Sequence, residues 1–183
     1  MIVEPGLHQL SDHRMVVVRS LEKNDAEATV SFVGRIYGSS PYLARYPEEW
    51  NVRTEEEQAF IQTVNTSRNR VMLGAFFEGN QIAIADFSPV SANSKMRHRS
   101  ICAISIEPSF QGKGLGTILM QTLIDLARAA GFEQLELEVV STNEAAVHLY
   151  RKVGFVKVGT ITHGFKTKEG TYLDLDYMIH RLT

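Results

Sequence analysis

Cysteine and net charge are both scarce in this sequence. Its 183 residues include a single cysteine, Cys102. No disulfide can therefore form within the chain, and a reducing compartment such as the cytoplasm is expected. The formal net charge is only -2. A charge so close to zero gives no broad field that would attract nucleic acid or an anionic membrane, so neither is expected as a partner.

Long hydrophobic runs, repeats and linkers are also missing. No apolar stretch is long enough to span a bilayer, and the N-terminal residues, among them Glu4 and Asp12, show no signal-peptide pattern. His98 and His148 have no spacing partners that would indicate a metal site, so no metal is expected. We expect one domain over residues 1–183, a length sufficient for a core of its own.

Apolar and helical patterns follow each other in an order typical of an α/β (α+β) fold, a mixed sheet covered by helices. Apolar runs predict strands at residues 15–18, 71–78, 82–88, 100–106, 135–140, 155–165 and 172–180. Capping residues and apolar spacing predict helices over residues 24–37, 54–66, 115–130 and 143–153. A capping box, Thr54-Glu55-Glu56-Glu57, is predicted to start the second helix, and Gly79-Asn80-Gln81 to join the second and third strands.

Three alternating glycines give the strongest indication of function. The predicted strand 100–106 is followed by Pro108, and Gly112, Gly114 and Gly116 then open an amphipathic helix. This order places free backbone N–H groups at the positive end of a helix, which is a binding site for anions. We expect the anion to be a phosphate of a bound cofactor, with Lys113 adding charge beside the dominant backbone groups.

Other glycine-rich sites have different requirements. A dinucleotide fingerprint needs a third glycine where this chain has Thr117, although Glu136 or Glu138 could supply its distant acid. A Walker loop is excluded because no Gly-Lys-Ser or Gly-Lys-Thr closes the turn. A turn without a ligand is disfavoured, since three glycines in five residues cost backbone entropy.

A second motif lies downstream of the glycines. It reads Asn143-Glu144-Ala145-Ala146-Val147-His148-Leu149-Tyr150 and continues to Gly154-Phe155. Together with Gln111-x-x-Gly114-x-Gly116, it resembles the GCN5-related N-acetyltransferase (GNAT) family, over about residues 71–178. The resemblance implies a mixed, mostly antiparallel sheet of about seven strands flanked by helices, with strands four and five splayed apart.

The same resemblance implies acetyl-CoA as the cofactor and transfer of its acetyl group to an amine. Backbone amides would hold the pyrophosphate, the main chain of strand 100–106 would pair with the pantetheine arm, and a slot would open between Ile106 and Val139. The residues implied in cofactor binding are Ile104, Ser105, Ile106, Gln111, Gly112, Lys113, Gly114, Leu115, Gly116, Thr117, Asn143, Ala146 and Tyr150.

Acetyl transfer to an amine requires a base and an acid. A lysine amine titrates near ~10.4 and an α-amino group near ~7.7–8.0, so a base must remove a proton before attack. Tyr150 stands at the family's tyrosine position, and a phenol with a pKa near ~10 can protonate the leaving thiolate. Alternation along residues 135–139 puts Glu136 and Glu138 on one face of a strand.

Glu138 is the candidate base. The run Leu137-Glu138-Val139 resembles the ribosomal-protein N-terminal acetyltransferase branch, in which that glutamate is the proposed base. The alternative interpretation is a solvated strand glutamate. Cys102 alternates with its strand neighbours and is predicted to be a small core residue rather than an acyl carrier.

The sequence predicts the acceptor less directly than the cofactor. Residues 159–164, residues 170–174 and Met178 resemble family members that acetylate free amino acids and other small amines, whereas the Glu138 run points to protein N-termini. We expect a small primary amine, with a protein N-terminus or lysine as the alternative. A catalytically silent acyl-CoA-binding regulatory module is a third hypothesis, against which Glu138 and Tyr150 argue. The sequence does not decide between a monomer and a homodimer.

Four aromatic residues surround the predicted loop 38–53. Tyr42, Tyr46 and Trp50 could wall an acceptor pocket, and packing within the loop would explain them almost as well.

Overall fold

The computed structural model describes residues 1–183. Its strands are β1 (Gly6–Gln9), β2 (Met15–Ser20), β3 (Val71–Phe77), β4 (Asn80–Pro89), β5 (Arg99–Ile106), β6 (Gln134–Val140), β7 (Val156–Lys166) and β8 (Tyr172–Arg181). Its helices are α1 (Ala26–Ser39), α2 (Thr54–Thr66), α3 (Leu115–Ala129) and α4 (Glu144–Lys152). The strands form one sheet in the order β1-β2-β3-β4-β5-β6-β8-β7, and only β5 and β6 run parallel to each other. The predicted fold class is therefore confirmed.

The sheet has eight strands rather than about seven because β1 was not predicted. Its four residues pair with β2 from Gly6↔Val18 to Gln9↔Met15. A glycine and a histidine in so short a segment give no strand pattern, so tertiary pairing decides this element. The first splayed strand of the expected fold is consequently the fifth strand here.

Two local predictions were wrong by about one residue. The β3–β4 hairpin turns on Glu78 and Gly79, both with positive φ (49° and 81°), so β4 already starts at Asn80. Positive φ at both central residues is typical of a two-residue type I′ turn. The N-cap of α2 is Arg53, whose backbone N–H donates to the Glu56 carboxylate over 3.1 Å. Glu57 cannot complete the predicted box because it points into the protein and is buried.

The two faces of the sheet are covered by different helices. On one face, α3 buries Leu115, Leu119, Leu123 and Ala127 against alternate residues of β4 and β5, and α4 packs beside it. We call this the α3/α4 face. On the opposite face, α1 and α2 pack on Met72, Phe76 and Ile84. We call it the α1/α2 face. None of the four helices is both long and apolar enough to cross a lipid bilayer.

The parallel strands β5 and β6 separate after a short stretch of pairing. Their register runs only through Arg99↔Gln134, Ser100↔Leu135 and Ile101↔Glu136. Beyond these pairs, residues 102–106 and residues 137–140 have no partners in each other. This opening, which we call the gap, is the splay that the family resemblance implied.

Candidate active site

Glycine shapes the turn between β5 and α3 for two different reasons. Gly112 and Gly114 have φ values of +69° and +92°, and Gly114 caps α3 in the left-handed conformation. A side chain there would add strain of about 1–2 kcal/mol. Gly116 instead allows a close helix contact, because a Cβ atom on it would lie 2.8 Å from Cδ2 of Leu149 on α4.

Six consecutive backbone N–H groups at this turn have no acceptor in the chain. The N–H of Gln111 donates to Pro108 O and that of Ile118 to Gly114 O, both over 3.2 Å, and the groups of residues 112–117 between them form no hydrogen bond. We call these six groups the amide row. They lie at the N-terminus of a 15-residue helix, so the helix dipole adds to their attraction for an anion.

Gln111 uses both of its amide groups within the protein. Besides its backbone bond, its side-chain Nε2 donates to the carbonyl oxygen of Ile106 over 2.9 Å. The amide row therefore begins at Gly112, one residue later than the sequence analysis expected.

Ile104 and Ile106 direct their main-chain groups into the gap. The N–H of Glu107 donates to Ile82 O on β4, and backbone groups alternate in direction along a strand. The N–H and C=O groups of Ile106, and of Ile104 two residues earlier, therefore point away from β4 towards β6. Those of Ser105, which pairs with Ile84, point towards β4.

Asn143 caps α4, as predicted. Its Oδ1 accepts a hydrogen bond from the N–H of Ala146 over 3.3 Å, and its Nδ2 donates to no group in the chain. An unused donor at the mouth of the gap, on the same side of the sheet as the amide row, is suited to hold an oxygen of a ligand.

Tyr150 lies on the buried side of α4. It is 7% exposed and packs on Phe155 with ring centroids 5.9 Å apart, and its hydroxyl forms no hydrogen bond. Burial, with a smaller contribution from the Cys102 thiol, raises the pKa of Tyr150. The phenol is therefore protonated at neutral pH. Cys102 is itself buried in the same core, which agrees with the structural role predicted for it.

The two glutamates of β6 have different surroundings. Leu135, Leu137 and Val139 are buried on the α3/α4 face, so Glu136 and Glu138 lie on the α1/α2 face, as predicted. Glu138 is exposed and forms no hydrogen bond or ion pair with the chain. It stands at the edge of the gap, in register with Tyr177 on β8.

Glu136 belongs to a buried polar network instead. Its side chain is 1% exposed and accepts from Arg99 Nε and Gln134 Nε2, each over 2.6 Å, and from the Tyr177 hydroxyl. Burial alone would raise the pKa of Glu136, but the hydrogen bonds from Arg99 and Gln134 lower it overall. Glu136 thus serves the sheet, and only Glu138 remains free for chemistry on β6.

Asp86 is a further acid on the α1/α2 face, and the sequence did not single it out. Its neighbours Ala85 and Phe87 are buried on the α3/α4 face, and Asp86 is paired across the sheet with Ala103 on β5. It is half-buried without a hydrogen-bond partner, and burial raises its pKa to about 6. The signal that could have revealed it is an aspartate inside the otherwise apolar run 82–87.

Two distant loops meet beside this face. The backbone N–H of Lys168, in the β7–β8 hairpin, donates to the Tyr46 hydroxyl over 2.8 Å. The Lys168 ammonium lies 4.1 Å from the centre of the Tyr46 ring and pairs with Glu48. Trp50 instead packs on α1, since its Nε1 donates to Val30 O over 3.0 Å. Of the loop aromatics, Tyr46 therefore borders the α1/α2 face, whereas Trp50 packs on α1 and stabilises the fold.

Comparison with known proteins assigns the chain to a family. Residues 39–155, which include the amide row, both gap strands and α4, match the model of the acetyltransferase (GNAT) family. The chain belongs to this family. The dinucleotide-binding alternative is thereby overturned, in keeping with Glu136 being engaged by Arg99.

Curated relatives include enzymes with several kinds of acceptor in their names. The chain is 38% identical over 93 residues to streptothricin acetyltransferase of Streptomyces lavendulae, covering 51% of this chain and 47% of that protein. It is 35% identical over 94 residues to the L-amino acid N-acyltransferase MnaT of Escherichia coli, covering 51% and 54%. The chain thus spans about half the length of these two relatives. The N-alpha-acetyltransferase RimI of Mycobacterium tuberculosis is 27% identical over 81% of this chain and 84% of its own.

Solved structures share the whole architecture. A GNAT-family acetyltransferase from Streptococcus pneumoniae superposes with a TM-score of 0.87 at 28% identity, covering 92% of this chain and 99% of that one. A phosphinothricin acetyltransferase from Sinorhizobium meliloti, solved with acetyl-CoA, gives a TM-score of 0.79 at 20% identity, covering 91% and 88%.

Proposed function

We propose that the protein is an acetyl-CoA-dependent N-acetyltransferase acting on the primary amine of a small molecule, such as an amino acid. The observation that carries this proposal is the amide row beside the gap: an anion site and an unpaired strand edge within one chain. GNAT acetyltransferases use acetyl-CoA. Two relatives whose names specify streptothricin and L-amino acids support a small acceptor. The proposal takes residues 1–183 as one catalytic domain in the cytoplasm.

The residues present fit this cofactor along its length. The N–H groups of residues 112–117 would hold the pyrophosphate. The main-chain groups of Ile104 and Ile106 would pair with the amides of the pantetheine arm, and Asn143 Nδ2 would donate to the same arm or to the diphosphate. When bound, the cofactor supplies a thioester whose carbonyl carbon is open to attack by an amine.

The acid and the base approach the gap from opposite faces of the sheet. Glu138, on the α1/α2 face, would take a proton from the acceptor's ammonium group, directly or through a water, so that the free amine can attack. Tyr150, on the α3/α4 face, is protonated at neutral pH and would give its proton to the departing sulfur. The acceptor then enters from the α1/α2 face, which Asp86 and the Tyr46–Lys168 contact border.

Thiol release from acetyl-CoA with a panel of amines tests this proposal. Amino acids and other small primary amines should release thiol faster than peptides do, and CoA should raise the melting temperature of the protein. Tight CoA binding without release for any acceptor would contradict the enzymatic function and favour a regulatory module. Stabilisation by NADH but not by CoA would contradict the cofactor.

A protein N-terminus is the second candidate acceptor. The similarity to RimI, which covers more of this chain than either small-molecule relative does, favours it. The two candidate acceptors can be distinguished by comparing turnover of amino acids with turnover of a peptide that has a free α-amino group. The N-formylated form of the same peptide is the control. Preferred turnover of the free peptide over any amino acid would replace the small-molecule acceptor in this proposal.

A further inference from the structure

The turn between β1 and β2 lies directly against the amide row. Its Ser11 N–H donates to the carbonyl of Lys113 over 3.1 Å, and His13 closes the turn with a φ of +69°. These residues precede the segment 39–155 that matches the family model. The turn is thus a support for the glycine loop that comes from outside the matched region.

Arg14 adds side-chain contacts between this turn and the residues that precede the glycines. One guanidinium nitrogen donates to the carbonyl oxygen of Ser109 over 2.9 Å, and Nε donates to Asp12 over 2.8 Å. The guanidinium carbon also lies 3.8 Å from the centre of the Phe110 ring. Three contacts in different directions fix the side chain, because the planar guanidinium donates in its plane while it stacks on the ring.

Lys113 supports the same carbonyl from within the loop. Its ammonium donates to Ser109 O over 2.8 Å and lies 3.7 Å from the Asp12 carboxylate. The Ser109 oxygen therefore accepts from two cationic groups, which hold it turned towards the β1–β2 turn. An oxygen held on that side cannot point towards an anion on the amide row.

We propose that Arg14 is a positioning residue for the pyrophosphate of the cofactor. It acts without touching the ligand: by fixing Ser109 and Phe110 before binding, it holds the six N–H groups in the arrangement that an anion needs. The inference rests on the proposed function, because it takes the anion to be the pyrophosphate of CoA.

Arg14→Met tests the inference, since methionine keeps an apolar side chain over Phe110 and removes the donors. The Kd for CoA, measured by calorimetry, should rise about tenfold, as expected for losing a charged hydrogen bond that preorganises a site. In turnover, KM for acetyl-CoA should rise by the same factor with kcat unchanged. For acetyl-pantetheine, which lacks the pyrophosphate, kcat/KM should stay at the wild-type value. Arg14→Lys retains a cationic donor and should restore part of the affinity.

Arg19→Met is the matched control. Arg19 lies on β2, about 16 Å along the extended chain from Arg14, stacks 4.2 Å from the Phe76 ring and pairs with Asp25 over 2.6 Å. The Arg19→Met variant should lose stability, as Arg14→Met does, and should bind CoA with the wild-type Kd. Equal CoA affinity in Arg14→Met and wild type, or equal losses with both thioesters, would overturn the inference. If wild type binds CoA but releases no thiol, the proposed function fails while calorimetry still decides the role of Arg14.

Discussion

The two sides of the gap differ in which groups they present: mainly backbone groups on one side and side chains on the other. On the α3/α4 side, the groups that we propose to bind the cofactor are mostly backbone: the amide row and the main chain of Ile104 and Ile106. On the α1/α2 face, the proposed acceptor site consists of side chains from separate elements, including Asp86 on β4, Glu138 on β6 and Tyr46 before α2. Backbone geometry is encoded locally by glycine and capping residues, whereas a side-chain pocket is assembled by the fold. The cofactor can therefore be inferred from a motif, and the acceptor cannot.

The largest effect is expected at Tyr150, where the cofactor side supplies chemistry as well as binding. Tyr150→Phe removes only a hydroxyl that forms no hydrogen bond in the chain, so the fold and the Kd for CoA should not change. kcat should fall about 10²–10⁴-fold, because the leaving sulfur loses its proton donor. Steady-state kinetics measure this, with Tyr37→Phe, which packs on Trp50, as the control. An unchanged kcat would assign Tyr150 to the core alone.

Glu138→Gln should have the next largest effect, and its effect is confined to the acceptor side. kcat should fall by about 10²-fold or less, because water can replace an exposed base in part. The rate of the wild-type enzyme should decline towards acid pH, and the variant should lose this acidic limb of the pH–rate profile. Retention of the same acidic limb in the variant would exclude Glu138 as the base and direct attention to Asp86.

Asp86, on the acceptor side, should make the free energy of unfolding fall as pH rises. Burial raises its pKa from 3.8 to about 6, so between these pH values the folded protein binds more protons than the unfolded chain. Its contribution to stability is therefore greatest below the unfolded pKa and is lost as pH rises through the folded pKa.

Asp86→Asn should consequently be more stable than wild type at pH 7, by about 1–3 kcal/mol, and this advantage should vanish near pH 4. Urea unfolding across this range measures it. Glu138→Gln is the control, since it makes the same change from carboxylate to amide at an exposed position. A pH-independent difference for Asp86→Asn would show that the carboxylate is solvated.

The smallest effect on stability is expected for two glycine variants, which distinguish backbone strain from a loss of CoA binding. Gly114→Ala and Gly170→Ala both place a side chain at positive φ (+92° and +86°), with no atom within 4 Å of the new Cβ. Each should cost about 1–2 kcal/mol, measured by urea unfolding. Only Gly114→Ala should also weaken CoA binding, because Gly114 belongs to the amide row and Gly170 lies in the β7–β8 hairpin. Equal CoA affinities in the two variants would show that the amide row does not bind CoA.

Features with local determinants could be predicted from the sequence, apart from errors of about one residue at the β3–β4 turn and at the N-cap of α2. Gly112, Gly114 and Gly116 predicted the helix start, Asn143 predicted its own cap, and alternation placed Glu136 and Glu138 on one face. Features whose partners are distant in the chain could not be predicted. The contact between Arg14 and Ser109 joins residues 95 apart, and β1 forms only because β2 offers it an edge. The burial of Asp86 depends on packing over β4, which no pattern within the strand specifies.

A crystal structure of the protein with CoA would show whether the amide row and the gap hold the cofactor. We expect pyrophosphate oxygens about 2.7–3.2 Å from the backbone nitrogens of residues 112–117, with the pantetheine arm lying in the gap along Ile104 and Ile106. A complex in which CoA binds elsewhere, or in which protein side chains fill the gap and cover these nitrogens, would contradict it.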